Sequence, residues 1–217
     1  MYFANREQAG RELAAMLAQY RNTDAIVLAL PRGGVPVGYE VATALGATLD
    51  VVLVRKIGAP GQPELAIGAV ADGATPELVL NESIVRVLEP DPGYLEMEKA
   101  RALAEIERRR RIYRGGRELP ALANRTVILV DDGLATGMTA LAALRSLRRQ
   151  RPRRLVLAVP VASPDTINLL RPEADEIVCS KVNDSLFAVG EAYGDFRQLS
   201  DDDVIEFLQR PAKAARQ

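Results

Sequence analysis

The 217 residues are 48% apolar with a formal net charge of −1, enough for one well-formed core and too little charge to draw nucleic acid or a membrane surface. One cysteine, Cys179, excludes an internal disulfide or a cysteine zinc cluster, and the absence of histidine excludes Ser–His nucleophiles, histidine bases and histidine metal ligands. No run of about 18 apolar residues occurs, and the N-terminus lacks a cationic stretch followed by an apolar one, so a cytoplasmic protein is the expectation.

Asn5 to Tyr20 predicts a helix, with Asn5 as cap, Gln8 three residues on, and an apolar stripe of Leu13, Met16, Leu17 and Tyr20. Ala25 to Leu30 reads as a strand buried on both faces. Pro31-Arg32-Gly33-Gly34 separates it from a helix over 36–45. The paired glycines let backbone approach a ligand closely, although any tight strand-to-helix turn would use them too. Leu49 to Val54 is the next strand. It ends in Arg55-Lys56, which is either a solvated edge or a neutraliser of phosphate charge; the second reading is favoured. Ile57 to Leu80 predicts a Gly/Pro-rich loop and then a hairpin, whose apolar runs Ala66–Val70 and Leu78–Leu80 flank a turn at Asp72-Gly73.

Asn81 to Leu88 predicts a short helix. Asp91 to Arg114 predicts a long one, capped by Asp91 with Pro92 at its first position and stopped by Gly115-Gly116. Its Glu105/Arg109 and Glu107/Arg111 spacings favour a solvated helix; the alternative is that Arg108–Arg111, Arg114 and Arg117 face a phosphate or a partner subunit. Thr126 to Thr139 reads as buried strand, acidic pair Asp131-Asp132, small-residue loop, and helix. A loop that opens a helix offers unpaired N–H groups and the positive end of the helix dipole to an anion. Strands over 154–159 and 174–179 and a helix over 164–170 follow. Cys179 reads as a small buried hydrophobe, and the arginines of 145–154 as favourable charge at a helix C-terminus. The alternation predicts an α/β doubly wound parallel sheet in a single domain over 1–217. Its core spans about 25–180, with an antiparallel hairpin and helical insertion at about 57–123 and a small C-terminal hood at about 181–208.

The Thr126–Thr139 stretch is not a Walker P-loop, because Met138 rather than a Lys follows Gly137. Four apolar residues, two acids and a loop ending in Thr-Gly-x-Thr resemble the phosphoribosyl-pyrophosphate (PRPP) signature of type I phosphoribosyltransferases. The resemblance implies that Asp131 and Asp132 hold the ribose hydroxyls and act in catalysis. It implies that Ala135, Thr136, Gly137, Met138 and Thr139 bind the 5-phosphate, and that Arg32, Gly33, Gly34, Arg55 and Lys56 bind the pyrophosphate. It further implies a lid at 57–80 with Glu64 near the sugar or base, and a base site near Phe187, Val189, Gly190, Tyr193 and Asp195. The implied reaction moves the 5-phosphoribosyl group between PRPP and a nitrogenous base, releasing pyrophosphate through an oxocarbenium-like transition state, as in nucleotide salvage. Magnesium would arrive through PRPP with no direct protein ligand, and a homodimer with no nucleic-acid or membrane partner is expected. Hypoxanthine-guanine enzymes carry an acid where this chain has Ala135, and adenine-type enzymes carry Ala there. The general base therefore stays unassigned between Glu64 and Asp195. The alternative is a PRPP- or nucleotide-sensing regulator on the same fold without turnover.

Overall fold

The computed structural model of the protein describes residues 1–72 and 76–210, apart from the side chains of Glu64 and Glu77. In chain order the strands are β1 (Ile26–Ala29), β2 (Thr48–Val51), β3 (Val54–Ala59), β4 (Gln62–Ala71), β5 (Glu77–Leu80), β6 (Thr126–Val130), β7 (Arg154–Ala162) and β8 (Glu176–Val182). The helices are α1 (Arg6–Met16), α2 (Gly34–Leu45), α3 (Glu82–Leu88), α4 (Pro92–Arg114), α5 (Met138–Arg149), α6 (Pro164–Leu170) and α7 (Asp201–Gln209).

Five strands pair in parallel in the order β2-β1-β6-β7-β8, with Ile26 opposite Val127 and Val127 opposite Leu155. The branched runs of β1 and β6 are buried throughout because both faces of the sheet are covered. On one face Val27, Ile128, Val130 and Val156 meet Leu13 and Leu17 of the N-terminal segment and Val37, Val41 and Leu45 of α2. On the other, Ile26, Leu28, Val127 and Leu129 meet Leu141, Leu144 and Leu147 of α5. Each such side chain contributes roughly 1.5–3 kcal/mol of burial.

The expected α1 stripe is partly corrected. Leu13, Leu17 and Tyr20 are buried, but Met16 is 46% exposed. The helix ends there and a short 3-10 turn over 18–20 carries Tyr20 inward, where its hydroxyl donates to Glu176 at 2.5 Å.

The strand expected over 49–54 is two strands. β2 ends at Val51, the amide of Val52 still donates to Ala29 O, and the chain then crosses into a second, antiparallel sheet ordered β3-β4-β5. Burial is continuous through Val51, Val52 and Leu53, so hydrophobicity alone hides the break. The loop expected over 57–62 is likewise strand and tight turn, with Ile57 and Ala59 buried. Its glycines serve a register shift at Gly58, where a Cβ would lie 2.6 Å from Pro63 O, and a positive-φ turn at Gly61. β4 and β5 form the expected hairpin; Gly73 of its anticipated turn lies outside the described residues. One face of this sheet packs on α5 through Ala69, Ala71 and Val79. The other meets α4 and α7 through Ile57, Ile67 and Val70.

Most of α4 is solvated, with Glu105–Arg109 and Glu107–Arg111 paired, but its end is not. Arg114 is 3% exposed, with Nε 3.2 Å from Asp50 and Nη1 3.0 Å from Asp72, and it also donates to Val51 O. Arg110 joins Asp72. This buried cluster ties α4 to both sheets. The chain after β8 returns to the N-terminus, where Phe3 bridges Tyr193, and then forms α7 behind a Ser200/Asp203 capping box.

Candidate active site

After β1 the chain turns toward β2, and after β6 it turns the other way toward β7. The loops leaving these two neighbouring strands diverge and open a crevice at the C-terminal edge of the sheet. Both expected loops are there, and glycine lets them touch. A Cβ on Gly33 would sit 2.0 Å from Asp132 Oδ2, and one on Gly34 would sit 2.7 Å from Val130 O. The Pro31–Arg32 peptide is cis.

The second loop is held from behind. Thr166 Oγ1 donates to Ala135 O at 2.7 Å, and Leu134 bridges Ala162. Ala135 and Thr136 are exposed and Thr139 is half-buried, whereas the Met138 side chain belongs to the core, so Met138 has only its backbone to offer. Gly137 has φ +72, and a Cβ there would lie 2.7 Å from Thr166 Cγ2. A larger residue at 137 therefore strains the fold.

Both crevice helices start on glycine, α2 on Gly33 and α5 on Gly137, and neither has a side-chain cap among the described residues. The other helices are capped by Asn5, Asn81, Asp91, Ser163 and Ser200. The Gly34 and Val35 amides already donate to Leu30 O and Arg32 O, so α2 brings its positive dipole end to the crevice, while α5 brings its dipole end and uncapped first turn.

The two acids are not equivalent. Asp131 is half-buried at the crevice, and its Oδ1 accepts from the Asp132 amide at 2.9 Å. Asp132 is buried, its Oδ2 2.7 Å from Arg6 Nε, and its carbonyl oxygen accepts from the Tyr193 hydroxyl at 2.5 Å. Burial, and then the neighbouring charge of Asp132, hold the Asp131 carboxyl well above the usual carboxylate range. Burial also pushes Asp132 up, and the Arg6 guanidinium opposes that rise. Arg6 also donates to Arg197 O at 3.0 Å and lies 3.8 Å over the ring of Phe196, which stacks on Tyr193. Sequence reasoning missed Arg6 and Phe196. The available signal was a cation in the first turn of α1, against the helix dipole.

The other expected site residues scatter. Arg32 Nη1 lies 3.9 Å from Asp201 on α7, which Arg108 and Tyr113 also hold. The Tyr113 hydrogen bond, joined by Arg108, keeps Asp201 below the usual carboxylate range despite partial burial. Arg55 and Lys56 sit inside β3 rather than at its end. They line a cleft of about 360 Å³ with Pro63 of β4 and Glu98 and Arg101 of α4, a lining that includes neither the acid pair nor Arg32. Phe187 is 86% exposed, and Asp195 is exposed with its amide on Ala4 O. Tyr193 is buried behind Asp132, so it supports the acid pair from beneath. The Glu64 side chain lies outside the described residues.

The model of the phosphoribosyl transferase domain family matches residues 2–194. The chain belongs to the phosphoribosyltransferase family. The match takes in both crevice loops, Arg6 and Tyr193, and ends before Phe196 and Asp201. Two Mycobacterium tuberculosis relatives, from strains CDC 1551 and H37Rv, bear provisional names as phosphoribosyl transferases. Each is 44% identical over 208 residues, covering 96% of this chain and 46% of its own. The chain thus spans about half the length of the curated relatives it matches. The crystal structure of a Thermus thermophilus protein is similar over 96% of this chain and 98% of that one, at 45% identity and a TM-score of 0.80. This phosphoribosyltransferase domain has a five-stranded parallel sheet and a separate three-stranded antiparallel sheet. No helix among its described residues is long and apolar enough to cross a membrane.

Proposed function

We propose that the crevice between β1 and β6 binds PRPP and that the domain transfers its 5-phosphoribosyl group to a nitrogenous base, releasing pyrophosphate. The observation that carries this reading is the pair of uncapped, glycine-started helices flanking an acidic pair at the switch point of the sheet. The amides of 135–139 and the hydroxyls of Thr136 and Thr139 take the 5-phosphate. Asp131 accepts from the ribose hydroxyls, with Asp132 behind it. Arg32 and the backbone at Gly33 and Gly34 meet the pyrophosphate, and Arg55 and Lys56 add positive charge from the neighbouring cleft.

The bond from C1 to the pyrophosphate oxygen breaks as the base nitrogen approaches. The carboxylates then stabilise the positive charge that develops on the sugar, and no covalent nucleophile is needed. The proton released by the base goes to Glu64 or Asp195 in this reading. Among the described residues no group of three or more His, Cys, Asp or Glu side chains could hold a metal. Magnesium would be held by PRPP itself with no direct protein ligand, and would neutralise pyrophosphate charge there. We read the protein as a homodimer acting in salvage in the cytoplasm.

The test is a screen of nucleobases with PRPP and magnesium, following pyrophosphate release. Base-dependent release supports transfer. PRPP binding with no release for any base points to a sensor, and no PRPP binding overturns the crevice assignment.

A further inference from the structure

Arg6 opens α1, where the helix dipole disfavours a cation, yet it is 8% exposed and held on three sides. Its guanidinium lies 3.8 Å over the Phe196 ring, its Nη1 donates to Arg197 O at 3.0 Å, and its Nε donates to Asp132 Oδ2 at 2.7 Å. The ring beneath it is fixed in turn. Phe196 stacks on Tyr193 with centroids 5.1 Å apart, and Tyr193 contacts Phe3. The amides of Gly194 and Asp195 donate to Phe3 O and Ala4 O, both at 2.8 Å. The N-terminal segment and the 193–197 segment therefore clamp one cation against the acid pair.

The titratable groups facing Asp132 are Arg6 from α1, Asp131 from its own loop and Tyr193 from the C-terminal segment. From the pyrophosphate loop, Gly33 lies against Asp132, where a Cβ would be 2.0 Å from Oδ2. Two adjacent buried carboxylates without a cation would retain a proton. A protonated acid donates one hydrogen bond and loses the negative charge that a developing sugar cation needs.

We propose that Arg6 is a positioning residue for phosphoribosyl transfer: it holds the Asp132 carboxylate charged and in one orientation, so that the hydroxyl-binding pair is assembled before substrate arrives. The proposal rests on the reading of the crevice as the PRPP site. It differs from a purely structural tie between the two ends of the chain, because a tie would not change how the acid pair titrates.

The test uses the full chain with R6Q and R6K. In the ligand-free protein, carbon-13 NMR follows the Asp132 carboxyl, assigned by its loss in D132N. R6Q should raise its midpoint by about one pH unit or more, the shift expected on losing an opposite charge in contact. Calorimetry with magnesium and PRPP should then show R6Q binding about tenfold weaker near pH 6 and recovering toward the wild-type value near pH 8. R6K should regain at least about half of that loss on a logarithmic scale, because it keeps the charge. An unchanged midpoint in R6Q overturns the proposal. So does an affinity loss that is the same at every pH and follows a fall in melting temperature. If R6Q does not fold, R6K decides: binding that weakens equally at all pH values contradicts the charge role. If the wild type itself fails to bind PRPP, the crevice assignment fails, while the Asp132 titration still decides what Arg6 does to the carboxylate.

Discussion

The crevice at β1 and β6 and the arm formed by α4 both concentrate charge, but they satisfy it differently. On α4 nearly every charge closes on a neighbour. Arg108 and Arg109 share Glu105, and Arg110 and Arg111 share Glu107. The Arg108 hydrogen bond, with help from Arg109, lowers the Glu105 carboxyl to about 2. In the crevice the arginine beside the acid pair bonds Asp132, with Asp131 next to it, and two helix N-termini lack side-chain caps. Charge that is already matched holds an element in place, and charge left in deficit is available to a ligand.

The matched charge of the arm is most exposed to substitution at Arg114. Arg114→Ala takes the buried guanidinium from Asp50 and from Asp72, which keeps Arg110, and should cost about 3–5 kcal/mol of stability by denaturant unfolding. PRPP affinity of the folded protein should stay within about threefold of wild type, well under the tenfold that about 1.4 kcal/mol represents. A large affinity loss with stability intact would place the cluster in the binding site instead.

Gly137→Val tests the crevice side. The left-handed backbone at φ +72 and the Thr166 methyl 2.7 Å from a Cβ should together lower stability by about 1–3 kcal/mol. The phosphate loop should also lose at least about tenfold in PRPP affinity, roughly 1.4 kcal/mol. Stability lost with affinity retained would remove the phosphate from this loop.

Asp131→Asn should weaken PRPP binding by about 1.5–3 kcal/mol, the worth of a charge-assisted hydrogen bond, without unfolding the protein. The Asp131 carboxyl is raised in the folded state, so the folded protein binds more protons than the unfolded chain above the unfolded value of about 3.9. The wild type should therefore lose stability as pH rises from there through the folded-state value. The Asn variant should lose less over that range, as melting temperature against pH would show. The smallest effect is on the arm, where Glu107→Gln should change stability by no more than about 0.5 kcal/mol and leave PRPP affinity unchanged.

Where a signal lay in contiguous residues, the sequence was legible. The buried run of β6, the acids at its end, the paired glycines after β1 and the caps of α1 and α4 were all local patterns, and they pointed to the fold class and the crevice. What stayed hidden depended on chain distant in sequence. Val52 and Leu53 are as buried as Val51 before them, and only the pairing partner shows that the sheet has changed. Arg114 read as one more solvated arginine until Asp50 and Asp72 closed around it from other elements. Arg6 lies 126 positions from Asp132, and Tyr193, expected at a base, turned out to hold the acid loop from below.

The most direct test of the central claim is amide hydrogen exchange with and without PRPP and magnesium. Exchange should slow at 32–35 and 131–139, where the two helix ends meet the ligand, and change little along α4. Protection confined to the cleft beside Arg55 and α4, with both crevice loops unchanged, would contradict that claim.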